Sequence, residues 1–394
     1  MTSLSTYFKG TASKYLSAVD ATSSSNQHEI GSNKFTLILG TPGSEKIRFK
    51  ATFLFFNPET DEPESCVDFV TYYDTRLNQD RSAEFRLYYR DNLVTEQLQE
   101  GDFCLIALQT NDDLLIAVTR PGTESERRLK YLFNVENAQQ KWVVGSEIST
   151  QDLDLASTSI LDALGIQIQD SAEDLLTSLI DKFGLKFPPT REFSAFARDS
   201  LGKHVSAVDD PDAALEEWMK HEERLFRSLE KAIVEIRLIE GFQEVDPFIA
   251  FSLSVQNRRK SRVGHALEHH LAAVFSANKI LFERGARTEG NSKPDFLFPG
   301  VAAYNNPTST SPPLRMLAAK SSCKDRWRQI LAEAERIPQK HLITLETAIS
   351  KNQTDEMFAH KVQLIAPTSV RQTYTAEQQK WIQSLRQFVG LVTT

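Results

Sequence analysis

Long apolar runs are missing from this 394-residue chain. No stretch of ~18 consecutive apolar residues occurs, so no helical membrane span is expected. Cysteine is scarce: Cys66, Cys104 and Cys323 stand far apart and are odd in number. That excludes a disulfide framework or a zinc cluster as the organising feature, and it suits free thiols in a reducing cytoplasm. The opening residues Met1 to Tyr7 hold no basic segment followed by an apolar core, so no signal peptide is expected. Internal repeats and sustained low-complexity stretches are also absent. What remains is a chain of ordinary globular composition, long enough for two or three domains.

Positive charge is in deficit, with a net of −8. Taken alone, that argues against nucleic acid. The distribution argues the other way, because residues 251–330 carry 13 Lys/Arg against 5 Asp/Glu. A basic segment inside an acidic chain can still offer phosphates a surface. The competing reading is a solvated charged face.

Residues 1–150 read as mostly β. Aliphatic and aromatic runs over 34–39, 47–56, 85–89, 103–108, 114–118 and 131–135 are separated by turn clusters such as Gly40-Thr41-Pro42-Gly43 and Asn111-Asp112-Asp113. Short strands at this spacing predict a barrel or sandwich. Lys14, Arg76, Arg81, Arg86 and Arg90, with His28, Tyr15, Tyr72 and Tyr73, form a mixture that can bind phosphates and base edges. Ordinary surface charge is the simpler reading of them.

Residues 151–190 read as a helical linker, with helical spacing over 158–166 and 172–183 and a break at Pro188-Pro189. From 191 to 394 helices alternate with strands, which predicts an α/β layered domain. A long amphipathic helix is expected over 212–240, ended by Gly241. A helix follows over 246–255 with Asp246 as its cap, then a basic loop over 257–262, and a helix over 264–278 whose Glu268 could face the sheet. Strands are expected over 293–298, 315–320, 341–345 and 362–366, and helices over 325–336 and 378–389.

The chemistry concentrates in one stretch. Leu314 to Lys320 is a short apolar strand that delivers a lysine at its end. A helix beginning Lys324-Asp325-Arg326 follows, with Glu333 further along it. Upstream, Lys293-Pro294-Asp295-Phe296-Leu297-Phe298 places an acid at the start of another apolar run. Cutting a phosphodiester needs a hard cation held by oxygen ligands, and Mg²⁺ takes few carboxylates. Asp295 and Glu333 could supply them, and Lys320 could orient water or stabilise developing charge. Two acids and a lysine also occur as a strand-end Asp, a solvated Lys and a Glu333–Arg336 helix pair. Lys and Arg donate to guanine O6 and N7, and Asp accepts from cytosine N4, so Lys324, Asp325 and Arg326 could read adjacent G·C pairs. The plain alternative is a helix start with Asp325 near the positive end of the dipole.

These residues resemble the EcoRII-type restriction endonucleases over residues 246 to about 367. The resemblance rests on residues 255–262, on Lys293-Pro294-Asp295-Phe296-Leu297-Phe298-Pro299, on Leu314 through Leu331, and on Glu333. It implies an α+β multidomain chain: an N-terminal B3-like β-pseudobarrel over 1–150, the linker, and an α/β restriction-endonuclease-like PD-(D/E)xK domain over 191–394. The usual acid two before the lysine is replaced by Ala318, and the family takes its acid from the helix instead. The resemblance therefore implies Asp295 and Glu333 as Mg²⁺ ligands and Lys320 as the catalytic lysine, with Glu268 as a further acid candidate. It implies that Lys324, Asp325 and Arg326 read the outer pairs of a CC(A/T)GG-type site in double-stranded DNA. Tyr304 matches a residue that stacks on a flipped base; a loop aromatic covering the core is the other reading. His28, Arg81, Glu84 and Arg86 fall where the family's effector domain contacts DNA. A type II, IIE-like endonuclease acting as a homodimer is expected, with a companion DNA methyltransferase. The rivals are a non-catalytic DNA-binding regulator using the N-terminal domain, and a related nuclease with a different or methylated target.

Overall fold

The computed structural model describes every residue except 1–2, 22–27, 59, 61–62, 136–137, 139–140, 146–147, 167–172, 203–204, 291, 307–312 and 394; side chains of 173–175, 324 and 325 are likewise outside the description. The chain forms two compact units, Met1–Leu153 with Ser159–Ile168, and Asp154–Thr158 with Gln169–Thr394.

Among the described residues the first unit is built on eight strands: β1 (Phe8–Tyr15), β2 (Glu29–Gly31), β3 (Ile47–Phe56), β4 (Glu64–Asp74), β5 (Phe85–Tyr88), β6 (Phe103–Gln109), β7 (Leu114–Thr119) and β8 (Val143–Gly145). They form one sheet in the order β2-β5-β4-β3-β7-β6-β1-β8. Only β3 and β7 pair in parallel; the other neighbours are antiparallel. Successive strand residues face opposite sides, and β6 and β7 use both sides. Cys104, Ile106, Leu108, Leu114, Ile116 and Val118 enter one core. Phe103, Leu105, Ala107, Leu115 and Ala117 enter another, closed by Leu129 and Leu132 of the helix Glu124–Leu132. Burial on both faces explains why these strands read as unbroken apolar runs.

Two expected strands are helical. Residues 34–39 form a 3-10 turn, Asn33–Phe35, and a short α-helix, Thr36–Leu39. Ser32 caps the turn by accepting from the Lys34 amide, and Gly40 at φ 74° ends the helix. The apolar residues at 131–133 belong to the end of the helix begun at Thr123, whose hydroxyl accepts from the Glu126 amide. Conversely, β1 and β4 were not expected. β1 holds Gly10, Thr11, Ala12 and Ser13, small or polar residues that carry little β signal.

The second unit begins with helices. Thr190–Leu201, Pro211–Glu240 and Val245–Ala277 pack on one another. Asp210 caps the second by accepting from the Ala213 amide, Pro211 sits at its first turn, and Gly241 at φ 75° ends it. The third is one continuous helix of 33 residues; the expected basic loop at 257–262 lies inside it. Those residues contain no glycine or proline, and their straight-chain side chains favour helix. Their charges find acids on the preceding helix: Arg259 pairs with Glu230 at 2.5 Å, and buried Arg262 pairs with Glu222 at 3.4 Å and with Glu223. The helix is capped at Glu244, not Asp246, and makes no side-chain capping bond there.

Five strands follow: β9 (Glu283–Arg284), β10 (Phe296–Phe298), β11 (Arg315–Lys320), β12 (Lys340–Thr344) and β13 (Val362–Ile365). Their order is β13-β12-β11-β10-β9, antiparallel from β9 to β11 and parallel from β11 to β13. Phe275, from the long helix, is fully buried against Phe282, Phe296, Phe298 and Phe388, at ring distances of 5.1–6.1 Å. The expected closing helix is split into Ala376–Gln379, held by a Thr375/Gln378 capping box, and Leu385–Thr393. The architecture is mixed α and β throughout. No helix among the described residues is long and apolar enough to cross a membrane.

Candidate active site

Strand pairing sets the first contact. Phe296 of β10 lies opposite Leu317 of β11, which brings Asp295, just before β10, beside the end of β11. The Ala319 amide donates to Asp295 Oδ2 at 2.8 Å, and Lys320 Nζ donates to the same oxygen at 2.9 Å. Both side chains are 18% exposed, so the pair lies at the rim of the sheet, still open to solvent. Ala318, where an acid is usual, is fully buried.

Glu333 approaches this pair from a turn, not from within a helix. The segment Lys324–Ala332 is a 3-10 helix, and Glu333 is its C-cap in extended conformation. Ala334 follows at φ 47°, a left-handed position that costs a non-glycine residue ~1–2 kcal/mol. Burial pushes the Glu333 carboxyl up to about 7, against the pull of the Lys320 ammonium; the Asp295 charge pushes the same way as burial. Its Oε2 is buried without a hydrogen-bond partner among the described residues. Arg336 turns from Glu333, donating to the Asn306 carbonyl at 3.2 Å.

Among the described residues, no cluster of three or more His, Cys, Asp or Glu side chains is spaced to hold a metal. Two carboxylates are nevertheless enough for an ion that keeps most of its waters. An orphaned Glu333 oxygen and a one-sided Asp295 fit such an ion as ligands.

The neighbouring candidates fall as follows. The backbone of Lys324 and Asp325 lies in the 3-10 segment, and their side chains are outside the described residues. Arg326 is exposed, next to the fully buried Trp327 that anchors the segment. Glu268 does not meet Asp295; it pairs with Arg284 of β9 at 2.7 Å. Tyr304 has only 2% of its surface exposed and belongs to the core. Its hydroxyl donates to Glu289 and accepts from the Arg336 amide at 3.2 Å. Burial, helped by Glu289, raises its pKa to about 12. The ring is carried by the short helix Val301–Asn305 and packs inward from it.

In the first unit, Arg86 donates to Glu84 at 2.6 Å and to Glu29 at 2.5 Å, and Arg76 reaches Glu84 at 2.5 Å. His28, at φ 36°, lies 3.3 Å from Asp91. Arg81 is exposed. Arg86 and Glu84 therefore form one charged cluster on the β2–β5–β4 side of the sheet, with His28 just outside β2. Asn26 and Gln27, which precede His28, lie outside the described residues.

Two residues that carry no signal in the sequence support the Glu333 turn. Buried Lys340, first in β12, donates to the carbonyls of Glu333 and Ala334, the latter at 2.6 Å. Glu289 accepts from the Glu335 amide at 3.1 Å.

Residues 226–389, which contain all three acid and lysine positions, match the family model described as EcoRII C terminal. The type II restriction enzyme EcoRII of Escherichia coli is 38% identical over 230 residues, covering 58% of this chain and 56% of the relative. The match thus spans little more than half of that relative's length. Among solved structures, metal-depleted Ecl18kI in complex with uncleaved DNA has 17% identity and a TM-score of 0.44, covering 57% of this chain and 84% of that one. The restriction endonuclease PspGI–substrate DNA complex has 15% identity and a TM-score of 0.44, covering 57% and 96%.

Proposed function

We propose that this chain is a type II site-specific DNA endonuclease that hydrolyses phosphodiesters in double-stranded DNA with Mg²⁺. The observation that carries the reading is the Asp295–Lys320 pair, 2.9 Å apart, with the half-buried Glu333 carboxyl under the influence of both charges. It lies inside the segment that matches the EcoRII C-terminal family model.

Asp295 and Glu333 would hold the cation, which supplies Lewis acidity at the phosphodiester. The Ala319 amide fixes the Asp295 carboxylate from behind, so that its other oxygen is free to face a ligand. Lys320, held by the same carboxylate, presents a positive charge where charge develops on the phosphate. Lys324, Asp325 and Arg326, beginning four residues after Lys320, would read the outer pairs of a CC(A/T)GG-like site. A near-palindromic site calls for two copies of the chain related by a two-fold axis. The first unit, as a B3-like pseudobarrel, would bind effector DNA through His28, Arg81, Glu84 and Arg86. A companion methyltransferase would protect the host site.

A DNA-binding regulator without catalysis is the rival reading. It gives no reason for two acids and a lysine to converge at the sheet rim. Incubating supercoiled plasmid with the protein and Mg²⁺ should yield discrete fragments, and Asp295→Ala should abolish them while duplex binding persists. Fragments that survive in Asp295→Ala would reject this site.

A further inference from the structure

Glu333 sits on a turn whose backbone is held at four consecutive residues by three buried or half-buried side chains. Lys340 Nζ donates to the Glu333 and Ala334 carbonyls. The Glu289 carboxylate accepts from the Glu335 amide at 3.1 Å. The Tyr304 hydroxyl accepts from the Arg336 amide at 3.2 Å and donates to Glu289, which joins the two holds on the amide side. We propose that Lys340 and Glu289 are positioning residues: they brace this turn so that the Glu333 carboxylate faces Asp295 and is set as a cation ligand.

Lys340 is 5% exposed, and the carboxylates of Glu289, Glu333 and Glu335 act on its charge without a close ion pair among the described residues. Burying an ammonium is costly unless its protons are used. Here the ammonium's contacts are with main-chain oxygens of the one turn that bears the acid. That turn needs holding, because Ala334 is left-handed at φ 47° and Glu333 before it is extended. Without a donor, the two carbonyls would have to find other partners. Ala334 would relax to the right-handed region that L-residues prefer, and the Glu333 side chain would swing with it. Lys340 is six residues beyond Ala334 at the head of β12, and Glu289 comes from the loop before β10. The brace therefore fixes the Glu333 turn to the same sheet that carries Lys320.

The inference rests on the nuclease reading for what Glu333 binds, so the test separates the two. Mn²⁺ is titrated, with electron paramagnetic resonance as the readout, into complexes of a cognate-type duplex with Lys320→Ala and with Lys320→Ala/Lys340→Met. Turnover is suppressed in both. The double variant should bind Mn²⁺ about tenfold more weakly or worse, the usual cost of removing a group that orients a metal ligand. Duplex affinity without metal should not change. In the otherwise native chain, Lys340→Met should need more Mg²⁺ for half-maximal cleavage. Equal Mn²⁺ affinities would overturn the brace. So would parallel losses of Mn²⁺ affinity, duplex affinity and unfolding midpoint, which indicate a role in folding alone. Glu289→Ala approaches the turn from its other end and should reproduce the Mn²⁺ effect if Lys340→Met does not fold. Failure of the native protein to cut any plasmid would instead reject the nuclease reading, with the Mn²⁺ titration still deciding the brace.

Discussion

Lys320 and Asp295 meet through a single oxygen: Nζ donates to Oδ2, the atom that already accepts from the Ala319 amide. The carboxylate is thereby held by backbone as well as by the lysine. Asp295 Oδ1 has no partner among the described residues and is the side of the group open to a ligand.

This division of contacts makes the two residues separable. Lys320→Ala should slow cleavage by about 10²–10³-fold, as removal of a charge-stabilising donor does, while Asp295 stays fixed by the Ala319 amide. Duplex affinity in the absence of metal should be retained. Single-turnover cleavage and gel-shift titration check both parts; a native cleavage rate in Lys320→Ala removes the lysine from the mechanism.

Arg326 is exposed beside the anchored Trp327. Arg326→Ala should lose about 1–3 kcal/mol of discrimination at one outer base pair. Competition between cognate and singly substituted duplexes measures it. Equal weakening across all duplexes would reassign the arginine to a phosphate contact.

Glu216, on the helix Pro211–Glu240, accepts from the Ser369 amide at 2.7 Å, yet burial raises its pKa to about 7 from an ordinary 4.5. A carboxyl whose pKa rises on folding favours the folded state most when protonated. Its contribution is complete below pH 4.5 and is lost as pH rises through about 7. Relative to the native chain, Glu216→Gln should therefore gain stability steadily between these values. Urea unfolding as a function of pH gives the difference, and a difference that does not change with pH counts against the assignment.

Phe275 joins the long helix to the sheet and to the closing helix Leu385–Thr393. Phe275→Ala should cost about 3–5 kcal/mol. Leu281→Ala, at a side chain 75% exposed, should stay within about 0.5 kcal/mol. Comparable losses in the two variants, measured by urea unfolding, would mean that the phenylalanine cluster is not what joins these elements.

The sequence was most informative where one local pattern was enough. The run 47–56 is β3 as expected, and the Asp210-Pro211 start and Gly241 stop bound a helix close to the expected one. Asp295 at the start of one apolar run and Lys320 at the end of another are expected, and strand pairing sets the two side by side. Local pattern failed where distant residues decide. Residues 257–262 read as a loop because their charges look solvated, but Glu222, Glu223 and Glu230 on the preceding helix take up two of the arginines. Glu333 was expected within a helix, and its neighbour Ala334 has no composition that announces a left-handed residue. The Lys340 and Glu289 holds on that turn come from separate parts of the chain, 51 positions apart, and no spacing rule joins them. Tyr304, read either as a partner of a flipped base or as a loop aromatic over the core, lies in the core and is tied to Glu289 and Arg336.

The helix Val245–Ala277 is exposed or half-buried from its first residue to Ser261, and its fully buried residues lie only from Arg262 onward. At ~1.5 Å per residue it is a rod of roughly 50 Å. Such a rod is held most firmly at its buried end, with Arg259–Glu230 and Arg258 over Phe187 as lighter ties along the rest. A force on its outer half arrives as a torque at Leu267, Leu271 and Phe275, beneath the strands that hold Asp295 and Lys320. The stiffness of the helix, and not any contact at the chemistry itself, then sets how far a load at Phe248 or Leu253 is felt.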